Sequence, residues 1–145
     1  MQTVTLPFKR LDENAVVPRY AHEGDSGMDV YALEGVVINA FCGYAKMRTG
    51  IACDIPSGYE LQIRPRSGLA AKKGVVAAFG TVDSGYRGEI GVTLFNHSDK
   101  PVSVAAGDRI AQIVLAPVVR ANPVETHGSL SETERGDGGF GSTGA

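Results

Sequence analysis

Five short stretches gather the side chains able to do chemistry, and each sets ionisable or hydroxylic groups among glycine or proline. Asp25-Ser26-Gly27-Met28-Asp29 reads as a turn entering the apolar strand Val30-Tyr31-Ala32. Pro65-Arg66-Ser67-Gly68-Leu69 closes a strand-like run and brings an arginine, a hydroxyl and helix-start amides to one point, the make-up of an anion site. The stretch from Gly80 through Thr81, Val82, Asp83, Ser84, Gly85, Tyr86, Arg87, Gly88 and Glu89 to Ile90 links two strand-like runs and reads as a β-hairpin whose loop carries a carboxylate. In Gly107-Asp108-Arg109-Ile110-Ala111-Gln112, alternation sends Arg109 and Ala111 to one face and Ile110 and Gln112 to the other, which leaves a polar Gln112 on what should be the core side. Arg135-Gly136-Asp137-Gly138-Gly139-Phe140-Gly141-Ser142-Thr143-Gly144 supplies an arginine, two hydroxyls, glycines able to form a nest of N–H groups, and one ring. Those are parts for a phosphate and a flat base. The stretch is not a P-loop, since no Gly-Lys-Ser/Thr follows and no strand precedes it. Each stretch alone also has an ordinary reading as turn, capped helix, hairpin, edge strand or flexible tail.

The elements that must hold these groups are short. Alternating apolar positions recur at Val4, Leu6 and Phe8, at Leu61 and Ile63, at Ile90, Val92 and Leu94, and at Ile110 and Ile113 to Leu115, each run closed by a turn. With 145 residues, 19 glycines, 7 prolines and no tryptophan, this pattern predicts one all-β domain, a sandwich or barrel. One short helix is expected over Ser67–Lys73, with Ser67 as its cap. From about Ala121 the chain turns polar and then glycine-rich, so residues 1–128 are expected to form the domain and 129–145 a mobile arm. The formal charge of −2 and a pI near 5.9 argue against a nucleic acid partner, whose binding needs several phosphates neutralised. No apolar run suits a signal peptide or reaches the ~18 residues of a membrane span, so a protein that is cytoplasmic or otherwise soluble and intracellular, without a membrane partner, is expected. Cys42 and Cys53 show no metal-ligand spacing and read as buried free thiols.

Taken together and in this order, the five stretches resemble the five motifs of the trimeric dUTPase family, from about Ala21 to Gly144. The resemblance implies a jelly-roll-like β-structure assembled as a homotrimer, with sites at subunit interfaces and the arm closing over them. It implies hydrolysis of dUTP to dUMP and pyrophosphate by Mg²⁺-assisted attack of water on the α-phosphorus, which removes dUTP and supplies dUMP for thymidylate synthesis. On this reading Asp83 matches the general base, and Asp29 holds Mg²⁺ through its waters, with Asp25 a poorer candidate. Arg66, Ser67 and Gly68 match the phosphate-binding turn, and Gln112 a supporting residue from the neighbouring subunit. Gly80, Thr81, Val82 and Gly91 match the backbone that reads uracil and excludes a C5 methyl, and Tyr86 the ring under the deoxyribose. In the arm, Arg135, Ser142 and Thr143 match contacts to the γ-phosphate, and Phe140 beside Gly141 the ring that stacks on uracil. The chain departs from the family pattern at Ser26-Gly27-Met28, at Gly85 and at Ala77 and Phe79. The related dCTP deaminases would need a hydroxyl, an arginine and a glutamate at an amino group, where this chain offers Asp83 with Tyr86.

Overall fold

The computed structural model describes residues 3–144; Met1, Gln2 and Ala145, the outermost ends of the expected domain and arm, lie outside the described residues. The described chain is all-β with one helix, as the alternation implies. In chain order the elements are β1 (Phe8–Arg10), β2 (Met28–Tyr31), β3 (Val36–Ile38), β4 (Gly43–Met47), β5 (Ile51–Cys53), β6 (Tyr59–Arg64), α1 (Ser67–Lys73), β7 (Val75–Ala77), β8 (Gly80–Val82), β9 (Val92–Asn96), β10 (Val102–Val104) and β11 (Arg109–Pro117). A four-stranded sheet runs β2-β11-β6-β8, a three-stranded sheet runs β4-β9-β7, and the pairs β1-β5 and β3-β10 complete the jelly roll. All recorded pairings are antiparallel.

Period-two alternation explains the core. Met28 and Val30 of β2, Leu61 and Ile63 of β6, and Val92 and Leu94 of β9 are buried, while Asp29, Gln62 and Thr93 between them face away. Each such aliphatic side chain contributes roughly 1.5–3 kcal/mol by leaving water. One core position is polar: Asn96 is fully buried at the end of β9. Its amide nitrogen donates to the carbonyls of Ile38 (3.1 Å), Asn39 (3.1 Å) and Lys100 (2.8 Å), and its oxygen accepts from Ser98. A satisfied amide of this kind ties two connections to the sheet without the cost of an unpaired buried group.

Four local expectations are corrected. Gly80–Ile90 is not a β-hairpin, because β8 pairs with β6 whereas β9 pairs with β4 and β7; the loop between them crosses from one sheet to the other. The helix spans Ser67–Lys73 as expected, but its cap is Arg66 in extended conformation and makes no side-chain cap bond, so Ser67 is the first helical residue and keeps its hydroxyl free of the cap. Gly74 ends that helix at φ 65°, its N–H reaching the Ala70 carbonyl at 3.0 Å. Of the two free thiols only Cys53 is buried; Cys42 is exposed in the turn before β4, where it and Phe41 have positive φ. Burial pushes the Cys53 thiol up to about 11, with the Asp54 charge adding to it and Arg87 opposing. The fourth correction, at Gln112, shapes the site. No helix among the described residues is long and apolar enough to cross a membrane.

Candidate active site

Asp29 faces outward from β2, opposite Gln112 of β11, which in turn stands opposite Arg64 of β6. Regular alternation would put Arg109 and Gln112, three residues apart, on opposite faces. The register instead shifts between Arg109 and Ala111, and this one-residue bulge buries Ile110 and Ala111 in succession. Arg109 and Gln112 therefore both reach Asp29's side of the sheet. The polar Gln112 is not misplaced on the core face; the bulge has reset the alternation before it. Gln112 donates to the Pro65 carbonyl at 2.9 Å and so braces the Pro65–Ser67 turn of its own chain, rather than supporting only a neighbour's. Gly27 makes room for this: a Cβ there would lie 3.0 Å from the Gln112 amide carbon.

The result is a polar pocket of about 340 Å³ lined by Asp29, Arg66, Ser67, Gly68, Gln112 and, unforeseen from the alternation, Arg109. Arg66 Nε meets Asp29 Oδ1 at 2.8 Å and Arg109 Nη1 approaches Oδ2 at 3.4 Å. The carboxylate is mostly buried, so it fixes both guanidinium groups and leaves the pocket one positive charge in excess among these three. Asp25 lines the same pocket but accepts the His22 N–H at 2.8 Å, closing its own turn. Space in front of Gly68 is open, which lets a ligand approach the main chain.

A second pocket, of about 220 Å³, is lined by Thr81, Val82, Asp83, Tyr86, Glu89 and Gly91 with Ile63 and Ile90. Val82 is buried, and Gly80, two residues earlier, packs on Ile63. Neither Ala77, which is in the core, nor Phe79, which is exposed, lines it. The Glu89 carboxylate, on the edge of this pocket, is engaged by Arg48 and the Gly50 amide.

The two pockets share no lining residue. Leu61 of β6 stands opposite Val82, so Asp83 lies beside the start of β6 while Ser67 follows its end. At about 3.3 Å per residue they are roughly 20 Å apart within one chain. The arm joins neither pocket: all its recorded hydrogen bonds from Thr126 onward are within itself, such as Arg135 Nε to the Gly138 carbonyl at 2.8 Å, and Phe140 is fully exposed at φ 49°. The structure thus groups Asp29, Arg66, Ser67, Gly68 and Gln112, groups Thr81 to Tyr86 with Gly91, and leaves Arg135, Phe140, Gly141, Ser142 and Thr143 apart from both. Among the described residues no three His, Cys, Asp or Glu side chains are gathered to hold a metal.

The pattern that defines dUTPases matches residues 13–144. The chain belongs to the dUTPase family. It is 49% identical over 146 residues to the deoxyuridine 5'-triphosphate nucleotidohydrolase of Clostridium tetani, covering 99% of each, and 53% identical over 141 residues to that of a Picosynechococcus species, covering 96% of this chain and 98% of the other. Among solved structures, the dUTPase of Staphylococcus bacteriophage 80alpha with dUPNHPP superposes with a TM-score of 0.90 at 29% identity, over 99% of this dUTPase and all of the phage chain. A mutant dUTPase of the S. aureus phage phi11, solved with a structural Mg(II) ion, gives 0.81 at 26% identity over 88% of this chain and all of that one.

Proposed function

We propose that this dUTPase hydrolyses dUTP to dUMP and pyrophosphate in a homotrimer, each site combining the Asp29 pocket of one copy, the Asp83 pocket of another and the 129–145 arm of a subunit. The observation that carries this reading is the separation of Asp83 from the Arg66–Ser67 turn within one chain. A base that far from the phosphate cradle cannot act on a nucleotide held there, and a second copy supplies it. The phage relative solved with dUPNHPP and the nucleotidohydrolase relatives support dUTP as the substrate.

In this site Arg66, Ser67 and the Gly68 amide bind the phosphates, with Ser67 near the α/β bridge where charge builds on the leaving pyrophosphate. Gln112 holds the Pro65 carbonyl and so keeps the turn aimed. Asp83, whose carboxylate has no side-chain partner among the described residues, takes the proton of the attacking water. Gly91 and the backbone of Gly80–Val82 read the uracil edge closely enough to exclude a methyl, and Tyr86 lies under the deoxyribose. The arm excludes water when it closes, with Arg135, Ser142 and Thr143 toward the γ-phosphate, Phe140 stacking on the base and Gly141 allowing the bend. Mg²⁺, carried on the triphosphate, would spread the charge of the phosphates. Asp29 fits the task of holding its waters: each of its oxygens accepts one arginine, a carboxylate has about four lone-pair sites, and the group lines the pocket. On this reading the product serves thymidylate synthesis, and the chain works on a free nucleotide in the cytoplasm or another soluble intracellular setting, without nucleic acid or membrane partners.

Asp83→Asn tests the reading. It keeps shape but not proton acceptance, so turnover measured by pyrophosphate release should fall by ~10² or more while binding of a non-hydrolysable dUTP analogue persists. Turnover near that of the parent would reject Asp83 as the base.

A further inference from the structure

Glu89 lies outside the groups assigned to the reaction, yet the loop that carries Asp83 and Tyr86 is tied to the body through it. Its carboxylate accepts the Gly50 N–H at 2.7 Å and Arg48 Nε at 3.2 Å, and Arg48 in turn reaches Glu34 at 3.0 Å. Its main-chain carbonyl accepts the Tyr86 hydroxyl at 2.9 Å. The same residue thus holds the body with its side chain and the Tyr86 ring with its backbone.

Both ends of this link are fixed. Gly50 sits at φ 68° and its carbonyl accepts the Leu11 N–H at 2.8 Å, so the anchoring residue is itself bonded to the body. At the other end, a Cβ on Gly88 would lie 2.7 Å from Tyr86 Cζ; glycine lets the ring fold back over the loop so that its hydroxyl reaches Glu89. The neighbouring Ile90 N–H bonds the Ile51 carbonyl at 2.8 Å, and the Ile90 carbonyl accepts the Thr49 hydroxyl. Residues 83–87 have weaker ties: Tyr86 N–H to the Asp83 carbonyl and Arg87 to the Ser84 carbonyl stay within the loop, and among the described residues only the exposed Arg87–Asp54 pair leaves it. The pose of the Tyr86 ring therefore follows from where Glu89 is held.

We infer that Glu89 is a specificity-determining positioning residue: through its grip on Arg48 and Gly50 it sets the height of the Tyr86 ring in the nucleoside pocket, and so the rejection of a 2′-hydroxyl. The inference rests on the reading that Tyr86 lies under the deoxyribose. A pocket that merely fails to solvate an added hydroxyl discriminates only ~10²-fold, so further rejection of a ribonucleotide depends on a ring that cannot retreat.

The test is the ratio of kcat/KM for dUTP to that for UTP in Glu89→Ala, Glu89→Gln, Tyr86→Phe and the double variant Glu89→Ala/Tyr86→Phe. Glu89→Ala should lower the ratio by about tenfold, with a relative gain on UTP, whereas Glu89→Gln, which keeps an oxygen for the Gly50 N–H, should stay within about threefold. The double variant should be no worse than the poorer single one, because both changes break one link. A purely structural staple would move the melting temperature and leave the ratio alone, so an unchanged ratio in Glu89→Ala overturns the inference. Should Glu89→Ala fail to fold, Glu89→Met keeps the bulk of the side chain while losing the bonds to both Arg48 and Gly50, and an unchanged ratio there has the same force. Tyr86→Ala serves as the control: if it leaves the ratio intact, the sugar does not lie on that ring, and the underlying reading fails with the inference, whereas a changed ratio in Tyr86→Ala beside an unchanged one in Glu89→Ala rejects the inference alone.

Discussion

In the pocket around Asp29 the two arginines are already paired within the chain: Arg66 and Arg109 share one carboxylate, and Gln112 holds the turn that presents Ser67. Around Asp83 the arrangement is reversed. The loop is pinned at Glu89 and Ile90, but the carboxylate itself has no side-chain partner among the described residues. On the proposed reading the first pocket is preorganised for charge that the substrate brings, so little reorientation remains to be done when a triphosphate arrives. The second keeps a carboxylate unpaired, which on the proposed reading is what proton abstraction requires and what a stability argument alone would disfavour. A division of this kind suits two half-sites that meet only when copies of the chain assemble.

The largest effect that could break this comparison comes from mixing. Arg66→Ala and Asp83→Asn chains, each nearly inactive alone, are unfolded together and refolded. If each site takes one pocket from each of two copies, random trimers should regain about a quarter of the parent activity, since three quarters are mixed and each mixed trimer holds one intact site of three. Recovery indistinguishable from zero, with mixed trimers shown by mass, would place both pockets of a site on one chain. Next in size, truncation before Arg135 should leave the melting temperature nearly unchanged and abolish most turnover, because the arm's recorded hydrogen bonds are internal and Phe140 is fully exposed. Full activity in the truncated chain would make the arm a bare end. Smaller again, Phe140→Ala should remove stacking on the base, worth ~1–3 kcal/mol in apparent affinity by analogue titration.

Thiol labelling probes the body that carries both pockets. Cys42 should react quickly with a thiol reagent and Cys53 only on unfolding, since burial holds Cys53 protonated to about 11. The sign follows: the folded state keeps a proton that the unfolded thiol loses at ordinary values, so this group stabilises the fold below that range and its contribution fades as pH rises toward 11. Two fast thiols per native chain would contradict the placement of Cys53.

The sequence made some features legible and others not, for physical reasons. The helix Ser67–Lys73 and the strands at Leu61 and Ile63 or Val92 and Leu94 follow from local alternation and a glycine stop, which one segment contains in full. Pairing is not local: β8 and β9 read as a hairpin because a glycine loop joins them, and only competition from β6 and from β4 and β7 sends them to different sheets. The bulge at Ile110 was equally hidden, since periodicity assumes an unbroken register, and with it went the position of Arg109. Motif order marked Asp83, Arg66 and Ser67, but nothing in their spacing marked Glu89, whose role depends on Arg48 and Gly50 about 40 residues earlier.

Arg109 gives the smallest and sharpest test of the preorganised pocket. With both guanidinium groups present Asp29 divides its attraction, and Arg66 keeps donors for phosphate. In Arg109→Gln the carboxylate pulls on Arg66 alone and the pocket's excess positive charge is gone, so both effects weaken triphosphate binding in the same direction. The KM for dUTP should rise several-fold, ~3 to 10, with kcat less affected, because Arg109 acts on binding more than on the bond being broken. Half of the Arg109 side chain is exposed, so the penalty should shrink as salt rises past 0.15 M, where screening acts over about 8 Å. Arg109→Lys should recover part of the loss, since it restores the charge without the guanidinium fork. A KM for Arg109→Gln equal to the parent's at low salt would mean that Asp29 does not divide its hold, and the contrast between a paired phosphate pocket and an unpaired base would reduce to Arg66 alone.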